Sequence, residues 1–89
     1  MKIIFDATKN STNILKHGVS LADATLIEWG TLRAKSDTRH DYGETRSVGY
    51  ALIGTRLYCV IFTDRDTDRR IISLRKANQR EVKHYADNN

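Results

Sequence analysis

The chain contains no proline, a single cysteine, and no apolar run longer than the six residues 57–62. Each shortage excludes something. One cysteine, Cys59, makes neither an internal disulfide nor a thiolate zinc cage, and inside an apolar run it reads as a small buried hydrophobe. A longest apolar run of six residues falls far short of a membrane span, and the start "MKIIFDATKN" lacks the apolar core of a signal peptide. A cytoplasmic location and no membrane contact are expected. There are no repeats, linkers or low-complexity segments, so 89 residues are expected to form one domain over 1–89 with a modest core. No glycine-rich phosphate loop and no nucleophile elbow is present. The three histidines, His17, His40 and His84, lack the ligand spacing of a zinc site; His40 is expected in a loop and His84 on an exposed helix. "DRDTDRR" opens like a calcium loop, with Asp64, Asp66 and Asp68 alternating. It has Arg69 where glycine is needed and no glutamate at the twelfth position. A solvated acidic turn paired with nearby arginines is the better reading. No metal or cofactor is expected.

What the chain does have is cation. Lys and Arg number 15 against 11 Asp and Glu, a net charge of +4. That suits a polyanionic partner without requiring one. Their placement says more: six of the 15 fall between Arg65 and Arg80, around the apolar stretch Ile71, Ile72 and Leu74.

The periodicity predicts the order β-α-α-β-β-β-β-α. Residues 2–5 form a short strand. Asp6 is an N-cap, a helix runs from Ala7 to about His17, and Gly18 stops it. Ser20 with Asp23 resembles a capping box, with Val19 and Ala24 as its staple, which predicts a second helix over 21–29. Residues 31–37 are a strand; Val48, Tyr50 and Leu52 alternate onto one face of the next. Gly54 at the first central position of a two-residue loop predicts a type II′ hairpin. Residues 57–63 are apolar on both faces and read as a central strand, 69–74 as its partner, and 76–87 as a closing helix. The expected fold class is α+β: two N-terminal helices, a four-stranded mainly antiparallel sheet and a C-terminal helix.

On an ideal strand Arg69, Ile71, Ser73 and Arg75 share one face, and Arg70, Ile72, Leu74 and Lys76 the other. An uncovered face of this kind is a cationic sheet surface, and arginine, with its planar fork, is suited to phosphate. The plainer reading is solvated side chains that blunt a sheet edge. Arg80 and His84 lie one turn apart on the last helix. His17 sits at the negative end of a helix dipole, where it serves either as a simple C-terminal cap or as a general acid or base. Trp29 and the tyrosines could stack bases, but at these spacings most of them are expected in the core.

Five short segments in order resemble the BrnT family, toxins of bacterial type II toxin–antitoxin pairs. They are "FDATKN", then Asn13 with "KHGVS" at 16–20, "GETR" at 43–46, "RLYCVIFTDR", and "RIISLRKA" at 70–77, with Glu81 and Tyr85 near the end. Phe5, Ala51 and Leu74 depart from the family's usual residues at packing positions. The resemblance implies a RelE-like fold and ribonuclease activity. It also implies a BrnA-type antitoxin partner with a ribbon-helix-helix domain, a hetero-oligomer with that antitoxin, and promoter DNA bound only through it.

With RNA as substrate, the expected chemistry is metal-independent attack of a 2′-hydroxyl on its own phosphate. That needs a base, cations for the phosphorane and an acid for the leaving oxygen. Arg70 and Arg75 are assigned to the phosphate with Arg46 as a third cation, and Glu44 or His17 to proton transfer. Lys16, Lys76 and Arg80 are expected to hold the RNA backbone, and Tyr85 to stack a base or donate a proton. Ideal alternation places Arg70 and Arg75 on opposite faces, so they converge only if Arg75 lies past the strand end; otherwise Arg69 takes the place of Arg70. The competing class is a non-catalytic RNA- or protein-binding module.

Overall fold

The computed structural model describes residues 1–39 and 41–88; His40 lies outside the described residues. The chain begins with strand β1 (Lys2–Phe5) and helix α1 (Ala7–His17). Asp6 caps α1 by accepting from the amides of Thr8 and Lys9, and Gly18 ends it at φ 68°, a left-handed conformation that costs glycine little. Both ends fall where the sequence places them.

The second helix is different. Ser20 does act as an N-cap, but only a 3₁₀ helix over Leu21–Leu26 follows. Trp29 lies in strand β2 (Glu28–Asp37), not in a helix over 21–29. Leu21 and Ala24, three residues apart, are both fully buried; three residues per turn aims both at the sheet. Strands β3 (Arg46–Ile53), β4 (Arg56–Arg65) and β5 (Asp68–Lys76) follow, then helix α2 (Gln79–Asp87). Gly54 turns the β3–β4 hairpin at φ 60°, as a type II′ loop requires at its first central position.

The sheet has five strands, not four, in the order β1-β5-β4-β3-β2. β1 joins it by running parallel to β5, with Lys2 opposite Asp68 and Phe5 opposite Ile71; every other pairing is antiparallel. The α1 crossover after β1 leaves it free to return on the far edge. β1 stops at Phe5, so the edge of β5 beyond Ile71 has no strand beside it. Asn13 of α1 takes over there. Its side-chain amide donates to the Leu74 carbonyl at 2.7 Å and accepts from the Leu74 amide at 3.2 Å, and also donates to Val19 O at 2.8 Å. One buried amide thus stands in for the missing strand and ties α1 to the sheet.

One face of the sheet carries the core. Val19, Leu21, Ala24 and Ile27 pack on Ala51, Val60, Phe62, Ile71 and Leu74. Trp29 meets Phe62 edge-on at 5.8 Å between centroids. Among the described residues, the opposite face has α2 over one corner. Among the described residues no helix is long and apolar enough to cross a membrane.

Candidate RNA-processing site

The uncovered face of the sheet is built in rows. Tyr50, Cys59 and Arg75 stand abreast on β3, β4 and β5, and Val48, Ile61 and Ser73 form the next row; beyond them Thr63 pairs with Arg70, and Arg46 continues the alternation of Tyr50 and Val48 along β3. That register rests on one irregularity. Ile61 pairs with Ser73 and Phe62 with Ile71, leaving Ile72 as an extra residue in β5. A bulge of this kind resets the alternation of the strand that carries it. Arg70 before the bulge and Arg75 after it therefore share the open face. Adjacent residues along a strand rise about 3.3 Å, so the two Cα atoms stand roughly 13 Å apart across four rises. Two arginine side chains span that gap.

Arg69 does not take the place of Arg70. It lies on the covered face, with its guanidinium over the Trp29 and Phe62 rings at 4.7 and 4.4 Å and a two-pronged pair to Asp64. Lys76, opposite Tyr58, is also on that side and exposed. It is separated from the residues it was grouped with.

At the corner where α2 crosses the open face, Glu81 collects three partners. Arg75 gives it two parallel bonds of 2.8 Å, from Nη1 and Nη2, and Tyr50 donates its hydroxyl at 2.7 Å. The Asn78 amide donates to the same carboxylate at 2.9 Å while the Asn78 side chain accepts from the Glu81 amide, so Glu81 also closes the capping box of α2. The Arg75 hydrogen bond, ahead of the smaller opposing effect of burial, lowers the Glu81 carboxyl to about 2. A carboxylate so weakly basic, with its lone pairs engaged, is not a general base. It is a clamp. Burial first, then the bond to Glu81, pushes the Tyr50 hydroxyl up, and burial pushes the Cys59 thiol up, so neither ionises at neutral pH.

The clamp leaves part of Arg75 exposed to a ligand. Nη1 and Nη2 face Glu81, and Nη1 also donates to the Lys76 carbonyl at 3.3 Å. Nε–H and the outer Nη2–H have no hydrogen-bond partner among the described residues. They form the second edge of the guanidinium, itself a two-pronged donor for an oxyanion. Arg75 borders a cavity of about 560 Å³ lined also by Lys35, Arg39, Tyr50, Ser73 and Glu81, among others.

The family model for "Ribonuclease toxin, BrnT, of type II toxin-antitoxin system" matches residues 5–81. The chain belongs to the BrnT family. A crystal structure of the Brucella abortus ribonuclease toxin BrnT, at 1.1 Å resolution, is similar at TM-score 0.66 and 31% identity, over 89% of this chain and 99% of that one. No curated protein sequence matches. The BrnT family is one of ribonuclease toxins of type II toxin–antitoxin systems, so the cognate partner of the chain is an antitoxin.

Within this BrnT chain three of the remaining candidates, Lys16, His17 and Glu44, line hollows that adjoin the cavity, whereas Arg46, Arg70, Arg80 and Tyr85 do not line it. His17 and Lys16 line a hollow beside α1 that shares Ser73 with it. Glu44 lines another on the opposite flank that shares Ser36, Asp37, Thr38 and Arg39. Arg46 stacks on Tyr42 at 3.9 Å and pairs loosely with Glu44 at 3.5 Å; its Nε is buried with no hydrogen-bond partner. Arg70 makes no ion pair or hydrogen bond among the described residues. It contributes slightly to the lowered Asp6 carboxyl, after the backbone amides of Lys9 and Thr8. Arg80 is exposed on α2 and lines none of these hollows. The Tyr85 hydroxyl donates to Thr31 O at 2.5 Å, fastening α2 to β2, so it is not a free proton donor.

Sequence reasoning missed Tyr50 and the role of Glu81. The signal for Glu81 was present as Asn78 and Glu81 three residues apart, a capping-box spacing.

Proposed function

We propose that this face cuts RNA as a RelE-like, metal-independent endoribonuclease. The observation that carries the reading is the free edge of Arg75 on an uncovered sheet face, held in place by Glu81 and accompanied on that face by Arg70 and Arg46. A phosphodiester seated on that edge receives two charge-assisted bonds, and Arg70 adds a cation that makes no ion pair or hydrogen bond among the described residues. Both interactions strengthen as charge builds on the phosphorane oxygens.

The 2′-oxygen attacks phosphorus and the bond to the 5′-oxygen breaks, leaving a 2′,3′-cyclic phosphate and a 5′-hydroxyl. A base takes the 2′-hydroxyl proton and an acid gives one to the leaving oxygen. In-line displacement puts these two groups on opposite sides of the phosphate. His17 and Glu44 are the candidates for these two roles. Glu81 and Tyr50 are positioning residues that fix the Arg75 fork. Lys16 on the α1 side and Lys35 on the β2 side extend the cationic track for the backbone.

The partner is a BrnA-type antitoxin with a ribbon-helix-helix domain, which neutralises by covering this face in a hetero-oligomer and contacts promoter DNA itself. The chemistry is tested with an oligoribonucleotide carrying a single 2′-deoxy residue at the mapped cut. Loss of that cut, and a cyclic phosphate on the intact substrate's product, are expected. Cutting that persists at the deoxy position refutes the 2′-hydroxyl step.

A further inference from the structure

A second cavity, about 340 Å³, lies between α2 and the edge of the sheet and shares Lys35, Val48 and Tyr50 with the first. Its other lining residues are Arg33, Ala34, His84, Tyr85 and Asn88. The site as described leaves it without a role. Two of the chain's four tyrosines line it. The Tyr85 hydroxyl is tied to the Thr31 carbonyl and that of Tyr50 to Glu81, so what each has left for the cavity is largely ring. Val48 gives an apolar floor and the exposed His84 a second planar wall. The Asn88 side chain is anchored by a 2.8 Å bond to His84 O, which stations its amide at the rim. The lining contains no carboxylate, whereas Lys35 stands at the passage between the two cavities.

We infer that this cavity is a nucleobase subsite, which seats one unpaired base of the RNA beside His84 and Tyr85 while the adjoining phosphate lies on Arg75. The inference rests on the RNA-cutting reading above. Flat apolar and aromatic walls stack any base, which has a π-face whatever its edge. A lining free of negative charge tolerates the phosphates on either side. Cavities that hold ligands of this size begin near about 300 Å³. A base anchored there fixes the register of the strand, so that one phosphate rather than its neighbours meets the fork. Helix α2, which buries no residue of its own, is one wall of this slot, held by the Glu81 and Tyr85 hydrogen bonds.

The experiment uses two short single-stranded RNAs, one intact and one with an abasic ribonucleotide next to the cut. Binding is read by fluorescence anisotropy and cutting by gel. The full chain is compared with His84→Ala and Asn88→Ala. Stacking on one base is worth about 1–3 kcal/mol, so the abasic RNA is expected to bind the unaltered chain roughly tenfold more weakly, with KM raised more than kcat lowered. His84→Ala is expected to bring the intact RNA down toward the abasic one and to leave the abasic RNA unchanged. Equal binding of both RNAs by the unaltered chain overturns the subsite, and so does an undiminished difference in both variants. RNA that binds with the base-dependent difference but is never cut overturns the cleavage reading and leaves the subsite standing.

Discussion

Asn13→Asp is the most demanding test of how the fold is held. Asn13 is 5% exposed, and its Nδ2 donates to two carbonyls, Leu74 O at 2.7 Å and Val19 O at 2.8 Å. Replacing NH₂ by an oxygen removes both donors and points a carboxylate oxygen at two carbonyl oxygens. Each buried acceptor left unpaired costs about 1–3 kcal/mol. Two of them, partly relieved by water, give a loss of about 3–5 kcal/mol, from a total that for a domain of this kind is about 5–15 kcal/mol. At about 4–8 °C per kcal/mol, Tm falls by roughly 12–40 °C. The sign with pH is also determined. The introduced carboxyl is easier to protonate in the folded chain than in the unfolded one, so the penalty is full at neutral pH and shrinks as pH falls through its raised folded pKa. Urea unfolding at pH 7 and pH 4.5, each against the unaltered chain, measures both. A loss under about 1 kcal/mol at pH 7, or a gap that widens on acidification, refutes the view that one side-chain amide completes the edge of β5.

Glu81→Gln is expected to lower the denaturation midpoint at neutral pH. The folded carboxyl, at about 2, lies below its usual 4.5, so its stabilisation is present above about 4.5 and is lost as pH falls toward 2; midpoints of the two chains should converge across that window. Arg70→Ala should cut RNA at least about tenfold more slowly, with its unfolding free energy in urea within about 0.5 kcal/mol of the unaltered chain, because Arg70 makes no ion pair among the described residues. Gly49→Ala should destabilise by about 1–3 kcal/mol, read by thermal melting: a Cβ there meets Leu32 Cδ1 at 2.7 Å, the Ala34 Cβ at 2.8 Å and the Arg33 carbonyl at 3.0 Å, and a backbone neighbour cannot swing aside.

Local chemistry was readable where it is sufficient to determine structure. Asp6, Gly18 and Gly54 mark their boundaries because a cap and a positive φ are decided by a few neighbouring atoms. The 3₁₀ helix at Leu21 was misread as an α-helix because Ser20 caps either kind, and what separates them is the distance to the sheet. The fifth strand was seen as a segment, but its parallel partner is far along the chain and leaves no local trace. The bulge at Ile72 was invisible for a related reason: an extra residue on β5 is defined only against β4. Strict alternation divided Arg70 from Arg75, and the tertiary pairing reunited them. Lys76 faces away from Arg75, as alternation has it, and the bulge parts it from Arg70, with which alternation had grouped it. Tyr50 looked like one more core aromatic; its hydroxyl bond to Glu81 on α2 spans 31 residues.

Arg75→Ala, tested on a naked oligoribonucleotide against the unaltered chain, bears most directly on the central claim. The chain is expected to remain folded, because Glu81 keeps Tyr50 and the Asn78 amide, while cutting falls by at least about a hundredfold. A folded Arg75→Ala chain that cuts at the original rate contradicts the account.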